Sequence, residues 1–231
     1  MTAGSRAARA SRAEWRVAVG NDETTAVYEP SHKRQLAIFV CAHGAGGSMS
    51  DRGMLRVAET LRSAGFGVVR FNFLYREKKS GRPDPMPRLE ACVAAVVDRT
   101  RGELGAEPLI IGGRSMGGRA ASMLAAQGFA CEGLLLLAYP LHPAGKPEQL
   151  RDVHLPAIKV PVLCLSGTRD ALCRRDLMEA ALRRVGANWT MHWLEGADHS
   201  FHVLKSSGRS DADVFDEIGA VSSSWVGGLA R

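Results

Sequence analysis

Two patterns alternate along most of the chain: short continuous apolar runs, and longer stretches whose apolar residues recur every three or four positions. The runs "LAIFVC" (Leu36 to Cys41), "FGVVRFNF", "PLIIGG", "GLLLLAYP", "VPVLCLSG" and "WTMHWLEG" have the length of strands buried on both faces. Between them, "RGMLRVAETLRSAG" sets Met54, Val57, Ala58 and Leu61 at helical spacing and stops at Gly65. "RLEACVAAVVDRT" does the same with Leu89, Cys92, Val93, Val96 and Val97. "MGGRAASMLAAQG" predicts another helix, Leu177 to Val185 a fourth that ends at Gly186, and "DADVFDEIGAVSSSWVGGL" a closing one. Near the start, "WRVAV" and "TTAVYE" predict a hairpin turned at "GND".

Buried strands separated by amphipathic helices predict an α/β fold, with a mainly parallel central sheet and helices on both faces. The pattern runs without repeat or linker, so residues 15–231 read as one domain. Ligands and reactive groups of such sheets gather in loops beyond the carboxyl ends of the strands. Chemistry is therefore expected where a strand has just ended.

Composition narrows the classes. At 45% hydrophobic and 23% charged, the 231 residues are ordinary for a globular protein. The net charge of +6 raises nucleic-acid binding, but Arg6, Arg9, Arg12 and Arg16 against Glu14 supply +3 of it. The remainder has no basic stripe interleaved with aromatics, so no nucleic-acid partner is expected. Residues 1–14 read as a disordered basic tail; an organelle presequence is the alternative for this Arg- and Ser-rich stretch, which lacks the apolar core of a secretory signal. No apolar run reaches membrane-spanning length, so no membrane partner is expected. The five cysteines are scattered without a CxxC spacing, several inside apolar runs, as free thiols of a reducing compartment would be. The expectation is a cytoplasmic protein.

"GGRSMGGR" (112–119) is the candidate for chemistry. It joins the end of "PLIIGG" to the start of a helix, and Gly113 to Gly117 spell G-x-S-x-G, the spacing of a serine on a sharp strand-to-helix turn. The small residues Gly117, Gly118, Ala120 and Ala121 let that helix approach the sheet. No Lys-Ser/Thr pair completes a phosphate loop, and the glycines do not fall into G-x-G-x-x-G. A reactive Ser115 needs a base. Among seven histidines, His199 in "GADHSFH" follows the last strand, with His202 its nearest rival. The orienting acid should follow the preceding strand, where "SGTRD" delivers Asp170; the neighbouring Asp198 reads as a turn former, and Asp170 has a rival role as a helix N-cap. An oxyanion site takes one N–H from Met116 and another from "CAHGAGG", with Ala45 chosen and Gly46 the alternative; His43 reads as the holder of that loop.

The segments "AHGAGG", "FNFLYREKKSGRPDP", "GGRSMGGR", "PLHPAGKPEQLRDVHLP", "SGTRD" and "ADHSF" together resemble small lidless α/β-hydrolases. They are similar to dienelactone-hydrolase-like enzymes and serine esterases, and more closely to an α/β-hydrolase group that includes a subunit of the animal NSL histone-acetyltransferase complex. The resemblance spans about residues 35–205 and implies Ser115, Asp170 and His199 as a catalytic triad. It implies acyl hydrolysis of a small-molecule ester, thioester or amide through an acyl-enzyme, without a cofactor or metal. The short segment between "LLLLAYP" and "VPVLCLSG" leaves no room for a substantial lid. Gly46, Tyr75, Arg76, Lys78, Arg114 and Phe201 are the expected substrate contacts, with Met49, Leu74, Tyr75 and Phe201 as an acyl pocket. The charged loop 76–82 would favour an anionic substrate, or is simply solvated. The competing functions are a non-catalytic interaction scaffold on the same fold and a cofactor-free perhydrolase.

Overall fold

A computed structural model describes residues 11–229. Eight strands form one sheet in the order β1-β2-β4-β3-β5-β6-β7-β8. The strands are β1 Ala13–Val19, β2 Asp22–Glu29, β3 Ala37–Ala42, β4 Phe66–Phe71, β5 Leu109–Arg114, β6 Gly133–Leu137, β7 Val162–Gly167 and β8 Trp189–Leu194. The hairpin β1–β2 is antiparallel and joins β4 antiparallel, while β3 to β8 run parallel. The mainly parallel α/β sheet expected from the alternation is the one found.

The helices are α1 Arg52–Ser63, α2 Leu74–Glu77, α3 Met86–Leu104, α4 Met116–Ala126, α5 Arg175–Leu182 and α6 Asp211–Leu229. Every residue of β3, β4, β6 and β7 is buried, which is why these strands read as apolar runs, interrupted by Arg70 in β4 and Ser166 in β7. One core lies beneath α3, α4 and α5, built on residues such as Val93, Val96, Ala121, Leu136 and Met178. The other lies beneath α1 and α6, with Phe39, Leu61, Leu135, Ile218 and Phe215. The stripe predicted for α1, Met54, Val57, Ala58 and Leu61, is its buried face.

Three boundaries differ from the sequence reading. β1 begins at Ala13, so the domain starts two residues before the expected edge at 15, because Ala13 pairs with Tyr28. Of the expected tail 1–14, residues 1–10 lie outside the described residues. α5 ends at Leu182 rather than Val185. The four-residue α2 follows β4 directly and is too short to show a period.

Residues 138–161 connect β6 to β7 with only a 3-10 turn at Leu155–Ala157 and no inserted helix, so the fold is lidless. No helix of the described residues is long and apolar enough to cross a membrane. All five cysteines are free thiols. Burial pushes Cys41, Cys92 and Cys164 up to about 12, which keeps them protonated and unreactive.

The nucleophile-bearing turn depends on how closely α4 meets the sheet. A Cβ on Gly117 would stand 2.5 Å from the Ala42 carbonyl oxygen, a rigid neighbour on β3. Gly117→Ala should therefore cost about 2–3 kcal/mol by overpacking. Gly81→Ala, with nothing within 4 Å of its Cβ, should stay within about 0.5 kcal/mol of wild type. Urea unfolding midpoints of the two variants check this.

Candidate active site

Ser115 lies between the last residue of β5 and the first of α4, at φ 51° and ψ −119°. An L-residue with a Cβ reaches positive φ only under constraint, at about 1–3 kcal/mol. The constraint comes from both sides. The Ser115 N–H donates to Leu137 O at 2.9 Å, across to β6, and the Ser115 carbonyl accepts from Arg119 N at 3.0 Å inside α4. The hydroxyl is thereby lifted above the carboxyl edge of the sheet, at a helix N-terminus that favours developing negative charge.

His199 and Asp170 arrive from the two loops beyond β8 and β7. His199 Nε2 is 2.9 Å from Ser115 Oγ, and Nδ1 is 2.9 and 2.8 Å from the two Asp170 oxygens. The Asp170 side chain is fully buried and that of His199 is one quarter exposed. Asp170 Oδ1 also accepts the Leu172 N–H at 2.8 Å, so the carboxylate is fixed by its own turn. It does not cap α5, which starts at Arg175. The three residues expected from chain order thus meet in one hydrogen-bonded line, with Nδ1–H donating to the acid and Nε2 facing the hydroxyl.

The rival residues are employed elsewhere. His202 Nδ1 pairs with Asp211 at 3.0 Å. Asp198 Oδ1 accepts the N–H groups of Ser200 and His202 at 2.7 and 3.0 Å, and shapes the histidine loop. His142 Nε2 accepts from Arg174 N at 3.2 Å and ties the loop after β6 to the one after β7.

Opposite the serine stands the loop after β3. A Cβ built on Gly44 would sit 3.5 Å from the Ser115 Cβ, so this loop faces the turn directly. His43 is wholly buried and holds it: Nδ1 donates to Gly44 O at 2.8 Å, and Nε2 accepts from Phe73 N at 3.1 Å. Burial pulls its pKa below the usual histidine value, against the Gly44 bond and Asp51, which keeps this tautomer neutral. The amides of Ala45 and Met116 donate to no other group of the described residues.

Three residues that sequence reasoning passed over complete the loop. Asn72 Oδ1 accepts Met49 N at 3.0 Å, and the Arg70 guanidinium donates to Met49 O. Arg70 is itself paired with Glu29 at 2.7 Å. Asp51 accepts from Ser48 N and Ser48 Oγ at 2.7 and 2.8 Å. The signal was present: Arg70 and Asn72 are polar residues in the apolar run "FGVVRFNF", and a buried polar group needs a partner.

The expected substrate contacts fare differently. Phe201 is only 1% exposed and packs edge-on against Phe215 in the core under α6. Leu74 and Tyr75 are buried too, so the expected acyl pocket of Met49, Leu74, Tyr75 and Phe201 does not form; Met49 alone is half-buried at the surface. Apolar side chains next to a strand end turned into the nearer core instead of lining the rim. Lys78 pairs with Asp22 at 2.8 Å across to the hairpin. Arg114 points under the turn, with Nη2 donating to His199 O at 3.1 Å. Gly46 and half-buried Arg76 stay at the rim. A groove of about 720 Å³ lies elsewhere, between α1 and α6, lined by Glu59, Thr60, Asp216 and Gly219 and by none of the three aligned residues.

Fold and site together define an α/β-hydrolase-type protein. A family model described as "Alpha/beta hydrolase domain" matches residues 35–227, and the chain belongs to that family. Solved structures with the same fold include an alpha-beta serine hydrolase homologue from Coxiella burnetii, with 18% identity and a TM-score of 0.74 over 92% of this chain and 98% of that one. A lidless α/β serine hydrolase from Xanthomonas campestris shares 20% identity over 92% and 94% of the chains, TM-score 0.71. A dienelactone hydrolase from Anabaena variabilis shares 20% over 94% and 97%, TM-score 0.70.

The loop 138–161 is fastened to α4 where His154 Nε2 meets buried Ser122 Oγ at 2.8 Å. Burial, with Arg119 nearby, draws His154 down from 6.5 to about 4. Below pH 6.5 the unfolded chain takes up a proton that the folded protein refuses. Stability should therefore be fullest above pH 6.5 and fall as pH drops toward about 4. His154→Gln should flatten that fall by up to about one proton's slope, read from urea unfolding at a series of pH values.

Proposed function

We propose that the protein is a serine hydrolase that cleaves an ester or thioester through an acyl-enzyme. The observation that carries this reading is the unbroken line Asp170–His199–Ser115 on a strained turn at the carboxyl edge of the sheet. His199 Nε2 takes the hydroxyl proton as Ser115 Oγ attacks the acyl carbonyl. Asp170, bonded to Nδ1–H, holds the ring and stabilises the imidazolium. The amides of Met116 and Ala45 receive the oxyanion. The imidazolium then gives its proton to the leaving oxygen or sulfur, and the C–O or C–S bond breaks. Water, deprotonated by His199, attacks the acyl-serine and releases the acid, returning the proton to Ser115.

The strain at Ser115 supports catalysis over a pure scaffold role because it falls on the residue whose hydroxyl meets His199 Nε2. Substrate class follows from the rim. Lys78 and Arg88 share Asp22, and Arg88 also meets Asp84 at 3.6 Å, whereas Arg76 has no acidic partner among the described residues and its Nε is buried without an acceptor. Arg76 would take a carboxylate or phosphate on the substrate.

Fluorophosphonate should label Ser115 in the folded wild type and leave Ser115→Ala unmodified; a folded, unlabelled wild type would sink the hydrolase reading in favour of the scaffold. Asp170→Asn should lower kcat by about three to four orders of magnitude, because the ring loses its tautomer. In a panel of p-nitrophenyl esters, a hemisuccinate should outrun butyrate, and Arg76→Met should remove that preference while sparing butyrate.

A further inference from the structure

Arg114 precedes the serine in sequence but leaves the turn on the α1 side, where its guanidinium is half-buried beneath the histidine loop. Its Nη2 donates to the main-chain oxygen of His199 at 3.1 Å. Inside that loop are the Asp198 side-chain bonds, the Asp198–His202 main-chain bond at 2.9 Å and the bridge between Ala197 and Val203. From outside, the Arg169 N–H donates to Ala197 O at 2.9 Å from the loop after β7, and Asp211 of α6 accepts from Val203 N at 3.0 Å. The Phe201 ring anchors the loop to the α6 core. None of these refers the histidine backbone to the serine. The Arg114 bond does, because Arg114 and Ser115 share a peptide unit.

We propose that Arg114 is a positioning residue, tying the backbone of His199 to the turn that carries Ser115 and so setting the separation of base and nucleophile. This rests on the hydrolase reading of the site. The contact closes a ring: Ser115 to Arg114 through the chain, Arg114 to His199 O, and His199 Nε2 back to Ser115 Oγ at 2.9 Å. Burial lowers the Arg114 pKa, and the fields of Asp198, Asp170 and Asp51 act against that shift. None of the three carboxylates lies within ion-pair distance, so the carbonyl is what aims the guanidinium.

Gly53 on α1 fits the same requirement. A Cβ there would stand 2.9 Å from Arg114 Nη1. Alanine is the better helix former, so the helix carries a weaker residue where the guanidinium must lie. This gives a test from the opposite side of the contact.

Arg114→Met, Arg114→Lys and Gly53→Ala are compared with wild type by fluorophosphonate labelling rate, by kcat and KM on an ester, by hydrogen exchange of residues 197–203, and by melting temperature. Arg114→Met should slow labelling about tenfold to a hundredfold, lower kcat with KM held, and raise exchange in 197–203 alone. Arg114→Lys should recover part of the rate. Gly53→Ala should keep or raise the melting temperature and yet slow labelling several-fold, about threefold or more. Labelling within about twofold of wild type in Arg114→Met, or unchanged exchange in its histidine loop, overturns the proposal. Should Arg114→Met not fold, a stable Gly53→Ala that labels at the wild-type rate overturns it. Should wild type itself fail to label, the hydrolase reading falls by itself, and the exchange of 197–203 still judges the tether.

Discussion

The backbone at Ser115, held at φ 51° between β5 and α4, is the point to which the rest of the carboxyl edge is fitted. That conformation costs about 1–3 kcal/mol, so neighbouring structure must over-determine it. The amide bond to Leu137 fixes one end, the first turn of α4 fixes the other, and Gly117 lets the helix press against Ala42. Ala42 is the last residue of β3, where the His43 loop begins. The same close approach also brings the candidate oxyanion loop so near that a Cβ on Gly44 would stand 3.5 Å from the Ser115 Cβ.

The second layer is a set of buried and half-buried polar side chains that hold main-chain groups. His43 joins Gly44 to Phe73, and Asn72 and Arg70 grip the two sides of Met49. Asn72 passes the constraint on: its Nδ2 donates to Glu77 Oε1 at 3.2 Å, and the same oxygen accepts Thr25 N at 2.9 Å. An irregular loop gains little from hydrophobic burial, so such bonds are what give it a single shape. Each is also costly to lose, since a partner left behind is buried and unsatisfied.

Most of the fold was legible because its central strands are buried on both faces and its helices on one, two conditions that write different periods into the chain. The Leu177–Val185 stripe overran because Val185 still packs against the core from the turn beyond α5. Ser115, Asp170 and His199 were legible through their place after β5, β7 and β8, since strand ends fix where a loop starts. The direction of a side chain within a loop is not fixed in that way. Phe201 at φ 65° turned into the α6 core, Tyr75 on α2 is buried against His43 and Phe73, and Arg114 turned under the sheet edge. Period and chain order do not encode those choices; they follow from which cavity each loop happens to border.

A lidless edge carries a further consequence. Residues 138–161 add no helix over the serine, so in the proposed mechanism recognition falls to the loop 44–51 and to the segment after β4. These two are not independent. Asn72 bonds Met49 in the first and Glu77 in the second, while Phe73 N is held by His43 from beneath the first. In the proposed mechanism, Ala45 meets the oxyanion and Arg76 the remote anionic group, so both ends of the substrate are read by segments with a common anchor. A rigid link of this kind turns binding at Arg76 into alignment at Ser115, since the distance between the two contacts is set by the protein before the substrate arrives. In that mechanism, preorganisation through Asn72 and His43 takes the part that closure of a lid takes in a covered site.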